Sequence, residues 1–257
     1  QNADCVIVVG SRLNIRQVSY NWSSFAQHAF IAQIDIDPAE LAKPFVQPDL
    51  RVAADAGAFL DGLTAACAGG LPDFSSWATW CRDISQRYPT GGLAPNGPQL
   101  HPYALVERVF SQLRDDDIIV CGNASACILP FQVGQLKAGQ RMFSNSGSAS
   151  MGYDLPAAIG AARAASTRRV ICFAGDGSLQ MNIQELQTLK TLDLDVAIVL
   201  IDNGGYLSIR QTHENFFGRI VGATPTSGVD FPDFARIAQA YGLDAVSVAT
   251  PADLPTL

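Results

Sequence analysis

Apolar positions along this chain fall into short continuous runs separated by stretches with helical spacing, and that rhythm predicts an α/β protein. Val6–Gly10 and Ala32–Asp37 read as strands, with Ser19–Phe30 as a crossover helix between them. Ala54–Ala66 and Trp77–Tyr88 read as further helices. From His101 the alternation resumes with helix Pro102–Leu113, a strand over Asp117–Cys121 and a short strand Arg141–Ser144. Helix Leu155–Ala165 follows, with Pro156 in its first turn, where a missing N–H costs nothing. Val170–Ala174 reads as a buried strand, and Ile183, Leu186, Leu189 and Leu192 recur every third position as one helical face. The unbroken apolar run Val196–Ile201 predicts a strand at the centre of a parallel sheet. Helix Phe231–Tyr241, strand Ala245–Val248 and the first turn of a last helix at PADLPTL complete the pattern. Strands separated by helices imply parallel sheets covered by helices on both faces.

Gly69, Gly70, Pro72 and the polar run Pro89–Pro98 interrupt this rhythm and predict a linker over 69–100, between a first unit at 1–68 and a second at 101–257. A strand begins only a few residues from the start, and the chain stops one turn into a helix. Both ends lead to the expectation of a piece of a longer polypeptide, cut inside one domain and just short of the end of another.

Composition narrows the function classes. An apolar content of 48% against 16% charged residues describes a globular chain with a large core, not a disordered one. The net charge of −7, without any Lys/Arg cluster, argues against nucleic-acid binding. The six cysteines, Cys5, Cys67, Cys81, Cys121, Cys127 and Cys172, show no CxxC spacing, and Cys5 and Cys172 lie in apolar strand patterns that predict buried, reduced thiols. Without a membrane-length apolar stretch or a signal peptide, the expected location is the cytoplasm.

The chemistry concentrates in Val170–Tyr206. An apolar strand runs into Gly175-Asp176-Gly177-Ser178, a helix follows, and a second strand ends in Asp202-Asn203-Gly204-Gly205. A carboxylate and a side-chain amide thus stand side by side at two strand ends. Oxygen donors of this kind suit Mg²⁺, which usually shares its shell with phosphate oxygens and water. Glycines let backbone N–H groups approach such phosphates. A third cluster, Cys121–Ser125, follows another strand, and ligands of open parallel sheets bind at carboxyl strand ends. The plain alternatives are that Asp176 caps a helix beginning at Ser178, and that Met151 fills a gap in the core.

The sequence GDG followed by an Asn-ended apolar strand resembles the signature of thiamine diphosphate (ThDP) enzymes. NSGSASMGYDLPAAIGAARA (Asn145–Ala164) and MNIQEL (Met181–Leu186) are similar to the acetolactate-synthase-like branch, and ADCVIVVGSRLNIRQ and AQIDIDPAEL resemble its middle domain. The resemblance covers most of the chain. It implies part of a Rossmann-like central domain at 1–68 and a doubly wound, diphosphate-binding domain at 101–257, truncated near its C-terminus. It also implies metal ligation by Asp176, Asn203 and the backbone oxygen of Gly205. Cofactor contacts carry over to Asn123, Ala124, Ala149, Met151, Gly175, Asp176, Gly177, Ser178, Asn203, Tyr206 and Leu207. Met151 is the catalytic residue of this set, because it props the cofactor's two rings into a V. Gly10, Arg12 and Arg16 match a stretch that lies near FAD in flavin-containing members.

The implied activity is ThDP- and Mg²⁺-dependent decarboxylation of a 2-oxo acid with carboligation of the resulting enamine. The alternatives are a non-ligating 2-oxo-acid or oxalyl-type decarboxylase and a non-catalytic ThDP-binding module. Family enzymes take an essential glutamate from a pyrimidine-binding domain that this sequence lacks, so the chain alone is expected to be inactive. Its expected partners are that domain, from the same protein or a neighbouring subunit, and further copies in a homodimer or homotetramer. Two departures bear on the substrate: Thr212 and Ser208 stand where biosynthetic acetolactate synthases carry Trp and Met, which predicts a more polar pocket and another donor or acceptor. His213, Arg210 and Glu185 have commonplace readings as a loop histidine, a surface ion pair and a packing residue. They are set beside possible roles in proton transfer, substrate-carboxylate binding and catalysis.

Overall fold

A computed structural model describes residues 2–89 and 97–257, in two compact units that divide after Asp83. Most of the polar run Pro89–Pro98 lies outside the described residues. In the first unit, β1 (Cys5–Val9), α1 (Ile15–Val18), β2 (Phe30–Asp35), α2 (Pro38–Leu41), β3 (Leu50–Ala53) and α3 (Ala56–Ala66) build a three-stranded parallel sheet in the order β1-β2-β3. α4 (Ser75–Arg87) follows. β3 and α2 had no counterpart in the sequence pattern.

The crossover helix expected over Ser19–Phe30 is absent. A single 3₁₀ turn, Trp22–Ser24, stands there instead. Ser19 and Ala26 adopt φ of 62° and 48°, a left-handed backbone that no α-helix accommodates. Between them the Ser24 hydroxyl donates to the Asn21 carbonyl, a local bond that competes with helix formation. Cys5 is exposed rather than buried; it opens β1, which lies at the edge of the described sheet.

The second unit carries α5 (Pro102–Ser111), β4 (Ile118–Cys121), α6 (Ser125–Val133), β5 (Arg141–Ser144), α7 (Asp154–Ala164), β6 (Val170–Gly175), α8 (Asp176–Met181), α9 (Glu185–Thr191), β7 (Val196–Ile201), α10 (Leu207–Thr212) and α11 (Phe234–Ala240). Its sheet is parallel, in the order β5-β4-β6-β7. Alternate residues of the central strands serve opposite faces. Ile118, Val120, Val170, Cys172 and Ala174 pack with Leu155 and Ala158 of α7, Leu186 and Leu189 of α9 and Phe234 of α11. Ile119, Cys121, Ile171 and Phe173 pack with Val106 and Phe110 of α5 and with Ala126 and Val133 of α6. The doubly wound arrangement is therefore as expected.

β7 lies at the edge of the described sheet, not at its centre. A continuous apolar run reports that helices cover both faces; it carries no information about lateral neighbours. Ala245–Val248 forms no strand, and Val246 is 69% exposed. The helix face through Ile183 to Leu192 belongs to a chain that breaks between α8 and α9, leaving Leu186 and Leu189 buried and Leu192 43% exposed. α11 starts later than expected, where the Asp233 side chain accepts from the N–H groups of Ala235 and Arg236. α6 went unforeseen because its sequence is apolar nearly all round and holds Pro130. Among the described residues no helix is long and apolar enough to cross a membrane.

Candidate active site

β4, β6 and β7 run in register, Ile118 opposite Val170 and Val170 opposite Val196, so their carboxyl ends share one edge of the sheet. Asp176, at the start of α8, is 4% exposed, and main-chain donors fill its carboxylate. Oδ1 accepts from Gly177 N at 2.7 Å; Oδ2 accepts from Gly205 N at 3.0 Å and Asn203 N at 3.3 Å. The last two donors come from the turn after β7, so one carboxylate ties two strand ends together. The capping alternative fails: Gly175 is the N-cap of α8, and no side chain caps it.

The turn after β7 depends on glycine. Gly204 and Gly205 have φ of 70° and 134°, and a Cβ on Gly205 would run into the carbonyl oxygen of Ala223. The same turn leaves Asn203 Oδ1 buried without a hydrogen-bond partner. Buried side-chain acceptors are satisfied in the large majority of cases, so an orphan beside a buried carboxylate marks a place where a cation or donor fits.

The Asn123-Ala124 pair follows β4, and Ala124 (φ 46°) opens α6. The Asn123 amide donates to the Ala149 carbonyl at 3.3 Å, and Ala149 has φ of 51°. Two left-handed alanines joined through one side chain are the kind of strain that concentrates at functional sites. Met151 reaches the Gly-Asp-Gly turn, where a Cβ on Gly177 would stand 3.1 Å from Met151 Cε and would overlap the Tyr206 ring. Gly177 is therefore required by what packs above it.

These residues meet in a cleft of about 160 Å³. Asn123, Ala124 and Met151 line it, together with all four residues Gly175–Ser178. Asn203, Gly205, Tyr206 and Leu207 line it from the β7 side. Ala149 is not on the lining and joins through its bond to Asn123. Ser125, the last residue of the third strand-end cluster, and Ser208 also face the cleft, as do Ala126, Ile201 and Ile209, which were missed by sequence reasoning. Ser208 therefore sits at the pocket as expected, whereas Thr212 is exposed and donates its hydroxyl to the Ser208 carbonyl. His213, Arg210 and Glu185 are not on the lining; His213 Nδ1 accepts from Val221 N at 3.3 Å, and its ring meets Phe217 edge-on.

The donors available to a metal are all oxygens: the Asp176 carboxylate, the orphaned Asn203 Oδ1 and the Gly205 carbonyl. Among the described residues no group of three His, Cys, Asp or Glu side chains could hold a metal ion. Such a site suits a hard cation that completes its shell with ligand oxygens and water. Beneath the cleft Asp154 is wholly buried, and that burial raises its carboxyl above the usual aspartate range, against a smaller opposing effect from Ser178. Burial likewise raises the thiols of Cys121 and Cys172, which keeps them protonated.

Comparison with known proteins gives this geometry a family. The model described as "Thiamine pyrophosphate enzyme, C-terminal TPP binding domain" matches residues 125–257, and the one described as "Thiamine pyrophosphate enzyme, central domain" matches residues 1–63. The chain is 32% identical to the acetolactate synthase isozyme 1 large subunit of Escherichia coli over 98% of its own length and 44% of the relative's. It is 32% identical to the acetolactate synthase large subunit of Lactococcus lactis over 98% of its length and 43% of the relative's. The isozyme 2 large subunit of Escherichia coli is 33% identical over 95% of this chain and 42% of the relative. The chain thus spans less than half the length of these relatives. With both matched domains in order and the strand-end motifs converging on one cleft, the chain belongs to the thiamine pyrophosphate enzyme family, and its second unit carries the family's C-terminal cofactor-binding domain.

Proposed function

We propose that this chain supplies the diphosphate-binding half of a ThDP- and Mg²⁺-dependent enzyme that decarboxylates a 2-oxo acid and joins the remaining carbon unit to an acceptor carbonyl. The observation that carries the reading is the orphaned Asn203 Oδ1 next to Asp176, in a cleft where Gly177 and Gly205 leave no room for a side chain. Asp176, Asn203 and the Gly205 carbonyl would hold the metal. The N–H groups of Gly177 and Ser178, with Asn123 and Ala124, would receive the diphosphate. Met151, Gly175, Tyr206 and Leu207 would orient the rings and keep water from them. The Ala149 carbonyl has accepted one bond from Asn123 and retains a second lone pair for the aminopyrimidine. When bound, ThDP supplies the electron sink; the chain contributes position and environment.

Among the lining residues Asp176 is the sole carboxylate, and main-chain donors occupy it. Proton transfer at the pyrimidine therefore calls for a group from elsewhere, which supports a pyrimidine-binding domain of the same protein or a neighbouring subunit in a homodimer or homotetramer. The flavin expectation finds less support. The Arg12 guanidinium is held by Glu40 through bonds of 2.9 and 2.6 Å, and the Arg16 side chain lies outside the described part. The six free thiols support a cytoplasmic location.

Calorimetry of ThDP binding to the full-length protein, with and without Mg²⁺, tests the anchor. Wild type should show Mg²⁺-dependent affinity, and Asp176→Ala should lose it; equal binding by both proteins would sink the assignment. A 2-oxo-acid screen that follows CO₂ and ligated product tests the reaction. CO₂ release without a ligated product would replace carboligation with simple decarboxylation.

A further inference from the structure

Met151 is followed by a residue, Gly152, whose N–H and carbonyl are both held. The N–H of Gly152 donates to the Ser178 hydroxyl at 2.8 Å, a buried bond across 26 residues of sequence. The carbonyl of the same residue accepts from the Asn182 side-chain amide at 2.5 Å. Gly152 has φ of 78°, and a Cβ there would stand 2.6 Å from Asn182 Nδ2 and 3.1 Å from the Met181 Cβ. The loop bearing Met151 is thus pressed against the end of α8, and only glycine fits the contact. Ser178 opens this grip from the Gly-Asp-Gly turn and Asn182 closes it where the helix breaks.

Asn182 explains the break as well as the grip. It is the C-cap of α8, with φ of −132° outside the helical range, and its amide leaves the helix to reach Gly152. A continuous helix through Asn182 would carry that side chain elsewhere. Two residues after Gly152, Asp154 is wholly buried, its Oδ1 accepting from Leu155 N at 3.0 Å and its Oδ2 without a hydrogen-bond partner.

We propose that Asn182 is a positioning residue: through the Gly152 carbonyl it holds Met151 over Gly177, and so couples the residue that shapes the cofactor to the turn that binds its diphosphate. This rests on the role given to Met151 above. A displaced Met151 would leave the anchor of Asp176 and Asn203 intact while loosening the fit of the rings. Catalysis of this kind depends on geometry held to fractions of an ångström, so the loss should appear in turnover before it appears in affinity.

The test uses the full-length protein with methyl-¹³C-methionine, the Met151 resonance being assigned by Met151→Leu. Wild type should give one Met151 methyl resonance, shifted by the nearby Tyr206 ring. In Asn182→Asp, which keeps the shape but turns the donor into an acceptor, and in Asn182→Ala, that resonance should leave its position without any cofactor present. ThDP–Mg²⁺ affinity should stay within about threefold of wild type, while kcat falls at least tenfold, about 1.4 kcal/mol of transition-state stabilisation. An unmoved Met151 resonance in both variants overturns the proposal. So does loss of ThDP binding together with the resonance, since Asn182 would then merely maintain the fold. Failure of the wild type to bind ThDP refutes the functional reading instead, because the methyl signal is read without cofactor.

Discussion

Gly177→Ala sets two effects of opposite sign against each other. Within α8, alanine is favoured over glycine by about 0.8–1.0 kcal/mol through backbone entropy. Against this, the added Cβ overlaps the Tyr206 ring and stands 3.1 Å from Met151 Cε. Inserting a methyl into a packed site typically costs about 1–3 kcal/mol. Tyr206 has little room to retreat: its N–H donates to the Ala223 carbonyl at 3.0 Å, and its ring meets Phe231 edge-on at 5.7 Å. Giving up that edge contact would cost about 0.5–1.5 kcal/mol more. The opposed terms leave a net stability loss of roughly 0.5–3.7 kcal/mol. The ring and the methionine yield toward the cleft, so ThDP affinity should fall at least tenfold, about 1.4 kcal/mol. Denaturant unfolding reads the first quantity and calorimetry the second, both on the full-length protein. A variant that binds ThDP within twofold of wild type would show that the packing above Gly177 does not shape the site, and would refute the reasoning.

Other expectations concern the buried acids. Asp117 is wholly buried, receives Arg169 through bonds of 3.1 and 2.5 Å, and accepts from Arg114 N at 2.8 Å. Asp117→Ala should therefore lower stability by about 3 kcal/mol, the low end for a buried pair because Arg169 keeps some solvent contact. Urea denaturation checks this, and a midpoint unchanged from wild type would contradict it. Asp154 has its folded pKa raised by burial, so the folded state holds its proton where the unfolded chain releases it. Its contribution is complete below the unfolded value and is lost as pH rises through the folded one, at up to about 1.4 kcal/mol per pH unit. Asp154→Asn removes that slope, so wild-type and variant stabilities measured across a pH series should diverge through the window; parallel curves would show Asp154 to be ionised.

The carboxylate of Asp176 and the amide of Asn203 were legible because strand ends in a parallel sheet share one edge, and a Gly-Asp-Gly turn can be read locally. Asp176, Asn203 and Gly177 accordingly lie on one cleft, and Met151, which only the family resemblance brought to the site, lines it too. Ala126 and Ile209 were not legible, since which residues of a following helix face a cleft depends on how that helix packs. Asn182 was hidden for a related reason: its partner, Gly152, lies 30 residues away, and no periodicity connects them.

The sequence by itself determined the class of the fold, the order of the strands β4 to β7 and the chemistry of the strand-end turns, because hydrophobic spacing and glycine conformation act within a few residues. Tertiary structure alone decided that β7 lies at the edge of the described sheet, that Ser19–Phe30 is not a helix and that α8 breaks at Asn182. It also decided that Asp176 bonds the β7 turn and leaves Asn203 Oδ1 without a partner. Each of these is a contest between local preference and a bond or neighbour far along the chain, and such a contest is settled only when the chain has folded.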